Sequence, residues 1–156
     1  MMEFRTTEAI IGIALVVIYA VGSGIWVNSS PGWYSSLNRP SWQPPSYLFG
    51  VIWPYNFIVL GIAAVQISNT LTKSQVIIWL STFAISIAFA LSWAYHFYVP
   101  HQLLVSSISL TLTALFTLPI TYLTFNSSIA MGIALVPYQA WVAIAASLAW
   151  GYYQNN

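Results

Sequence analysis

The sequence predicts an all-α membrane protein, a bundle of five transmembrane helices with an ordered first loop rich in proline and tryptophan. Three observations predict this fold class: five long apolar segments, very few charges, and short connections between most of the segments. Of the 156 residues, 59% are hydrophobic and 3% are charged, whereas a soluble domain carries about a quarter charged residues. The mean hydropathy of +0.78 suits a chain whose outer surface faces lipid.

The first predicted span covers residues 9–27. An apolar segment of this length crosses a hydrocarbon layer of roughly 30 Å, because each helical residue adds about 1.5 Å. It is longer than the apolar core of a signal peptide, and no small-residue cleavage site leads into a polar mature domain. We therefore expect this segment to remain in the mature protein as a membrane helix.

Four further apolar segments predict spans at residues 47–67, 75–97, 103–125 and 129–153. The last three connections are short, so successive helices must pack as antiparallel neighbours. We expect one domain over residues 1–156. Arg5 and Lys73 lie on one side of the membrane and Arg39 on the other, so the positive-inside rule favours a cytoplasmic N-terminus.

Composition excludes several classes of chemistry. The chain has no cysteine and no aspartate, and its two glutamates, Glu3 and Glu8, precede the first span or lie at its edge. Disulfides, paired-carboxylate catalysis and Ser/His/Asp hydrolysis are therefore excluded. A net charge of +1 without a basic run argues against a nucleic-acid partner.

The two histidines, His96 and His101, are five residues apart across Pro100. This spacing does not match a pair on one helix face, and no third ligand is available for a metal site. We interpret them as interfacial histidines, with axial ligation of a haem iron as the alternative. No metal site and no required cofactor are predicted.

Aromatic residues give the positive signal for function. In the fifth span, residues 138, 141, 145, 148 and 152 fall on one helical face, and in the second span residues 49, 53 and 57 do the same. Two such faces could form the walls of a flat apolar pocket with indole and phenol groups as polar anchors. The alternative is helix packing or an interfacial aromatic belt. Trp141 does not fit the belt, because about twelve residues of its span precede it.

The first connection, residues 28–46, contains four prolines and several aromatic residues. We expect it to be an ordered lid over the bundle, because proline restricts its freedom and the aromatics have apolar surface to bury. Arg39 could bind a ligand carboxylate there or donate to loop carbonyls. The predicted ligand-binding residues are Trp33, Tyr34, Trp42, Phe49, Trp53, Phe57, Trp93, Tyr138, Trp141 and Ala145.

Two blocks of sequence carry a resemblance to a known family. The first is Trp33-Tyr34, Leu37, the run from Arg39 to Pro45 (Arg-Pro-Ser-Trp-Gln-Pro-Pro), Phe49-Gly50 and Trp53. The second is Pro137-Tyr138-Gln139-Ala140-Trp141-Val142 with small residues at Ala145 and Ala146. Together with five spans, they make the chain resemble the tryptophan-rich sensory protein family, TspO, also known as translocator protein or peripheral-type benzodiazepine receptor.

The resemblance implies a five-helix bundle, commonly a homodimer, whose pocket binds porphyrins such as protoporphyrin IX and in some members sterols or synthetic ligands. The pocket tryptophans of the family match Trp53 and Trp141. Some bacterial members are reported to degrade protoporphyrin IX in light, which makes Trp53 and Trp141 the catalytic candidates if the chain is an enzyme. At Ala90, Ser106 and Ala149 the chain lacks polar residues that are frequent in the family.

The sequence and the resemblance together favour a membrane receptor or sensor for a flat hydrophobic ligand, a tetrapyrrole such as protoporphyrin IX. A light-dependent porphyrin-degrading enzyme is the first alternative, and a transporter of porphyrin or other hydrophobic molecules is the second. The absence of an evident coupling-ion site argues against the transporter.

Overall fold

A computed structural model describes residues 5–156 as six α-helices without a β-strand in that range. Five of these helices are long and apolar enough to cross a membrane. The predicted fold class is therefore confirmed. Glu3, one of the two glutamates named above, lies outside the described residues. The helices are α1 (Thr6–Val27), α2 (Pro31–Ser36), α3 (Ser46–Thr70), α4 (Lys73–Tyr98), α5 (Leu103–Ser127) and α6 (Ile129–Asn155).

The long helices extend up to three residues beyond the apolar segments. At the end of α3, the side chains of Ser68, Asn69 and Thr70 each donate a hydrogen bond to the carbonyl four residues earlier. These polar residues therefore continue the helix past the apolar run. At the start of α4, Thr72 and Gln75 form a reciprocal capping box, which satisfies backbone N–H groups that the first turn leaves free.

Helix α2 was not predicted, because it lies within the lid and is only six residues long. Proline at its first position has the backbone torsion that a helix requires and lacks an N–H that would be unpaired there. The hydroxyls of Ser35 and Ser36 donate to the carbonyls of Gly32 and Trp33. The lid is thus a short helix followed by an extended, proline-rich segment.

The five long helices form a closed ring in which α1 packs on α3 and α4, α5 lies between α4 and α6, and α6 returns to α3. The ring encloses a core of large buried side chains, among them Tyr19, Leu60, Trp79, Phe83 and Leu135. Isoleucine, valine and leucine also cover the outer surface, as Ile10, Ile58 and Leu118 illustrate. This distribution is expected where the solvent is lipid.

Neutral hydrogen bonds connect the helices within the bundle. The indole N–H of Trp79 donates to the Thr124 hydroxyl at 3.2 Å, and Ser86 donates to the Thr113 carbonyl, so α4 is joined to α5. The amide of Gln139 on α6 donates to the Ala114 carbonyl of α5. These bonds satisfy polar groups that the hydrocarbon region cannot solvate.

Close packing of α1 on α3 depends on Gly12. A Cβ atom added to Gly12 would lie 2.5 Å from the Cβ of Ala64, which is far inside van der Waals contact. Small residues allow such close approach of helix backbones in membranes. By contrast, a Cβ atom added to Gly61 on α3 would have no neighbouring atom within 4 Å.

We predict that Gly12→Ala destabilises the bundle by roughly 1–3 kcal/mol, the usual cost of overpacking a tight interface. The measurement is the thermal unfolding midpoint in detergent. Gly61→Ala is the matched control, because it adds the same methyl group to a membrane helix without a clash. Equal midpoints for the two variants would show that the close approach at Gly12 is unimportant.

Candidate ligand-binding site

A cavity of about 440 Å³ lies under the lid, between α1, α3, α4 and α6. This volume falls within the range of small-molecule pockets, roughly 300–1,000 Å³. Most of its lining is apolar. The residues that line it are Ala20, Ser23, Gly24, Val27, Tyr34, Arg39, Gln43, Ser46, Phe49, Trp53, Phe57, Trp93, Phe97, Tyr98, Trp141, Ala145, Leu148, Ala149 and Tyr152.

The walls of the cavity are aromatic because two helices direct rings toward each other. On α3, Phe49, Trp53 and Phe57 follow a spacing of four residues and share one face. Phe49 meets Trp141 of α6 edge to face, with ring centroids 5.0 Å apart, and Trp53 stacks with Phe57 at 5.7 Å. Small residues of α1 face this region, which leaves space between the rings.

A tyrosine pair closes the inner end of the cavity. The ring of Tyr19 meets the rings of Trp53 and Phe57 at 6.0 and 5.3 Å. The hydroxyl of Tyr138 lies 3.4 Å from that of Tyr19, and both tyrosines are buried. Tyr138 therefore supports the floor of the cavity from below instead of lining it.

Neutral side chains fasten the lid to the end of α6. The Tyr152 hydroxyl donates to Gln43 and also lies 3.2 Å from the Tyr34 hydroxyl. The backbone N–H of Asn38 donates to the Asn156 side chain at 2.9 Å, and the Asn156 amide donates back to the Asn38 carbonyl at 3.2 Å. The lid is thus held at two points on the same helix end.

Glycine at position 151 allows the lid to lie directly on α6. A Cβ atom there would be 2.6 Å from Cγ of Pro40 and 2.8 Å from Cζ2 of Trp42. Pro40 is buried in this contact, whereas Trp42 keeps 54% of its surface exposed. Trp42 therefore anchors the lid from outside and does not line the cavity.

The connection between α4 and α5 provides another support for the lid. The ring of His101 stacks on the indole of Trp33 with centroids 3.8 Å apart and an interplanar angle of 9°. His101 has a positive φ of 58°, which is uncommon outside glycine. Trp33 also contacts Phe97, so it packs α2 against the end of α4.

Two polar groups of the cavity have no evident structural role. The indole N–H of Trp141 is buried and has no acceptor in the part of the chain that the structure describes. Among the described residues, Arg39 is the only charged one that lines the cavity, and as part of the lid it is exposed at the mouth. A ligand with an acceptor near Trp141 and an anionic group near Arg39 would satisfy both.

Seven of the ten predicted binding residues line the cavity: Tyr34, Phe49, Trp53, Phe57, Trp93, Trp141 and Ala145. Trp33, Trp42 and Tyr138 do not line the cavity. Trp33 packs α2 against the end of α4, Trp42 packs the lid on α6, and Tyr138 lies beneath the cavity floor.

Neither His96 nor His101 lines the cavity, and His96 Nδ1 donates to the Ser92 carbonyl at 2.8 Å. Residues 5–156 contain no cluster of three possible metal ligands.

Arg39 at the mouth was anticipated from the sequence, but the contributions of α1, Gln43 and Ser46 were not. Gln43 and Ser46 carry no periodic signal, since they lie in or beside the lid. The small residues Ala20 and Gly24 have helical spacing, but that pattern equally predicts helix packing. Tyr152 could have been found, because it lies on the aromatic face of α6 that was already recognised.

Similarity to known proteins extends over nearly the whole chain. Residues 10–154 match the model of the TspO/MBR family. The chain is 31% identical to the tryptophan-rich protein TspO of Chlorobaculum tepidum, over 99% of this chain and 98% of that protein. It is 32% identical to the protein CrtK of Rhodobacter capsulatus, over 81% of each. The translocator protein of Sus scrofa is 26% identical over 80% of this chain and 75% of its own length.

We predict that Gly151→Ala loosens the lid, because the added methyl group collides with Pro40 and Trp42. Limited proteolysis in detergent should then cleave residues 28–45 several times faster than in the wild type, since local opening exposes the backbone. Gly50→Ala is the control, as open space surrounds that position. Cleavage at the wild-type rate in Gly151→Ala would contradict the proposed seating of the lid.

Proposed function

The chain belongs to the TspO/MBR family, and we propose that it is a membrane receptor for a flat hydrophobic ligand of the tetrapyrrole class, such as protoporphyrin IX. The observation that carries the proposal is Trp141, which lines an aromatic cavity and whose buried indole N–H has no acceptor among the described residues. The names of the relatives, a sensory protein and a translocator protein, support a role in sensing or handling a small molecule.

The shape and chemistry of the cavity favour a flat ligand. Nine of the nineteen lining residues are aromatic, and planar rings prefer offset or edge contacts with other rings. Phe49, Trp53 and Trp93 supply such surfaces from α3 and α4. An extended aromatic macrocycle would bury a large apolar area against them, which is the main source of affinity in a pocket of this kind.

The two polar groups of the cavity favour a ligand with a hydrogen-bond acceptor at one end and an anionic group at the other. Trp141 lines the cavity and carries one unpaired N–H donor, while Arg39 offers positive charge at the mouth. Protoporphyrin IX has a planar apolar ring with two carboxylates on one edge. In the proposed orientation this edge faces Arg39, because a carboxylate near water costs less to desolvate than one in the bundle core.

The first prediction for this function concerns Trp141. Trp141→Phe keeps an aromatic ring but removes the N–H donor, so we expect protoporphyrin IX to bind roughly fivefold more weakly, the effect of one lost hydrogen bond. Saturable binding would be measured by the porphyrin fluorescence of detergent-solubilised protein. Trp26→Phe is the control, since Trp26 contacts Tyr95 and does not line the cavity.

An absence of saturable binding to the wild type would reject the receptor proposal. Repeating the titration under illumination separates it from photochemical degradation. If the porphyrin loses its Soret absorbance equally fast with and without protein, the chain is not a porphyrin-degrading enzyme. Porphyrin flux into liposomes at the rate seen without protein would likewise argue against transport.

The second prediction concerns Arg39. Arg39→Gln should weaken protoporphyrin IX binding about two- to fivefold at low salt and less at high salt, because exposed ion pairs are modest and screened. Protoporphyrin IX dimethyl ester lacks the carboxylates, so its affinity should be the same for wild type and Arg39→Gln. An equal loss of affinity for the acid and the ester would show that Arg39 does not bind a carboxylate.

A further inference from the structure

Asn56 is the second polar residue without a partner, and it lies deeper than Trp141. Its side chain is fully buried, and neither the oxygen nor the nitrogen of its amide has a hydrogen-bond partner among the described residues. In the hydrocarbon region an unsatisfied amide is costly, because no bulk water is present to solvate it. An apolar residue would fill this position without that cost.

Two asparagines, one near the end of α3 and one at the C-cap of α6, satisfy themselves locally. Asn69 donates to the carbonyl of Val65 at 2.8 Å, and Asn156 donates to that of Tyr152 at 3.0 Å, in both cases four residues earlier. Asn56 makes no such bond. Its amide is therefore available to a partner that the helix itself does not supply.

The position of Asn56 relates it to the cavity. It lies one helical turn below Trp53 and immediately before Phe57, the two α3 residues that form the inner part of the lining. With 3.6 residues per turn, Asn56 falls on nearly the same face as Phe49, about 10 Å further along the axis. At this level α3 is attached to α6, where the Tyr55 hydroxyl donates to the Ala134 carbonyl at 2.7 Å.

We propose that Asn56 is an inner binding subsite for a neutral hydrogen-bonding group on the ligand edge opposite the carboxylates. This inference rests on the proposed receptor function and extends it. A hydroxyl suits the site because the amide can both donate and accept. A charged group does not suit it, since α3 contains no ionisable acid or base that could neutralise the charge.

The order of residues along α3 agrees with this assignment. Arg39 lines the cavity from the lid, and Trp53 and Phe57 line it from α3, on either side of Asn56 in the sequence. A porphyrin whose carboxylate edge faces Arg39 directs its opposite edge toward Trp53 and Phe57. Asn56 does not itself line the cavity, so the proposed subsite requires a local side-chain movement when the ligand binds.

The test compares two porphyrins that differ only at this opposite edge. Hematoporphyrin IX carries two hydroxyethyl groups there, mesoporphyrin IX carries two ethyl groups, and both have the same two carboxylates. Dissociation constants would be measured for the wild type, for Asn56→Leu and for Asn69→Ala as the control. Comparing the ratio of the mesoporphyrin to the hematoporphyrin constant between each variant and the wild type cancels the intrinsic difference in solvation between the two ligands.

We expect this ratio to fall about five- to tenfold in Asn56→Leu relative to the wild type and to stay unchanged in Asn69→Ala. The apo protein of Asn56→Leu should unfold at or above the wild-type temperature, because leucine removes an unpaired amide. Asn56→Ala should shift the ratio in the same direction, and it replaces Asn56→Leu in the test if leucine is too large to fold.

Two failures are distinguishable. If both porphyrins bind the wild type saturably and the ratio is the same in the Asn56 variants, the subsite is rejected and the receptor proposal stands. If neither porphyrin binds the wild type, the receptor proposal fails and the subsite fails with it.

Discussion

The structure depends on one constraint: within the hydrocarbon region, every polar group must find its partner inside the protein. The constraint selects helices, whose backbones are internally bonded, and it explains why buried serines and threonines donate to carbonyls of their own or a neighbouring helix. Trp79 and Gln139 obey it by bonding across helices. Among the described residues, the two buried exceptions are Trp141 and Asn56, whose polar groups remain free to bind a partner that the protein itself does not supply.

The scarcity of charged residues determines how the lid is held. A soluble enzyme often closes a loop with ion pairs, but here the contacts between lid and α6 involve amides, phenols and a proline packed on glycine. Such contacts are little affected by salt, since no net charge is screened. Closure of the lid and the proposed binding of a carboxylate by Arg39 are therefore expected to respond differently to ionic strength.

Much of the fold could be predicted because lipid imposes a simple pattern. Long apolar segments must be helices, and the short connections correctly predicted that α4, α5 and α6 are successive antiparallel neighbours. The same prediction was wrong for α3 and α4, because α1 lies between these two helices in the ring. The face shared by Phe49, Trp53 and Phe57 was also readable from spacing. Helix α2 and the positions of Trp33 and Trp42 were not, because they depend on which side of the lid meets the bundle. The position of Tyr138 beneath the cavity floor could not be predicted either, because it depends on a contact with Tyr19, which is 119 positions away in the sequence.

The attachment of the lid to the last helix has a consequence for biosynthesis. Asn38 and Asn156 are 118 positions apart, so α1 and the lid are made and reach the membrane long before the residues that fasten the lid exist. During translation the cavity lacks both its α6 wall and its closure. The lid can therefore be fastened only after the end of α6 has been made and has reached residues 38–43.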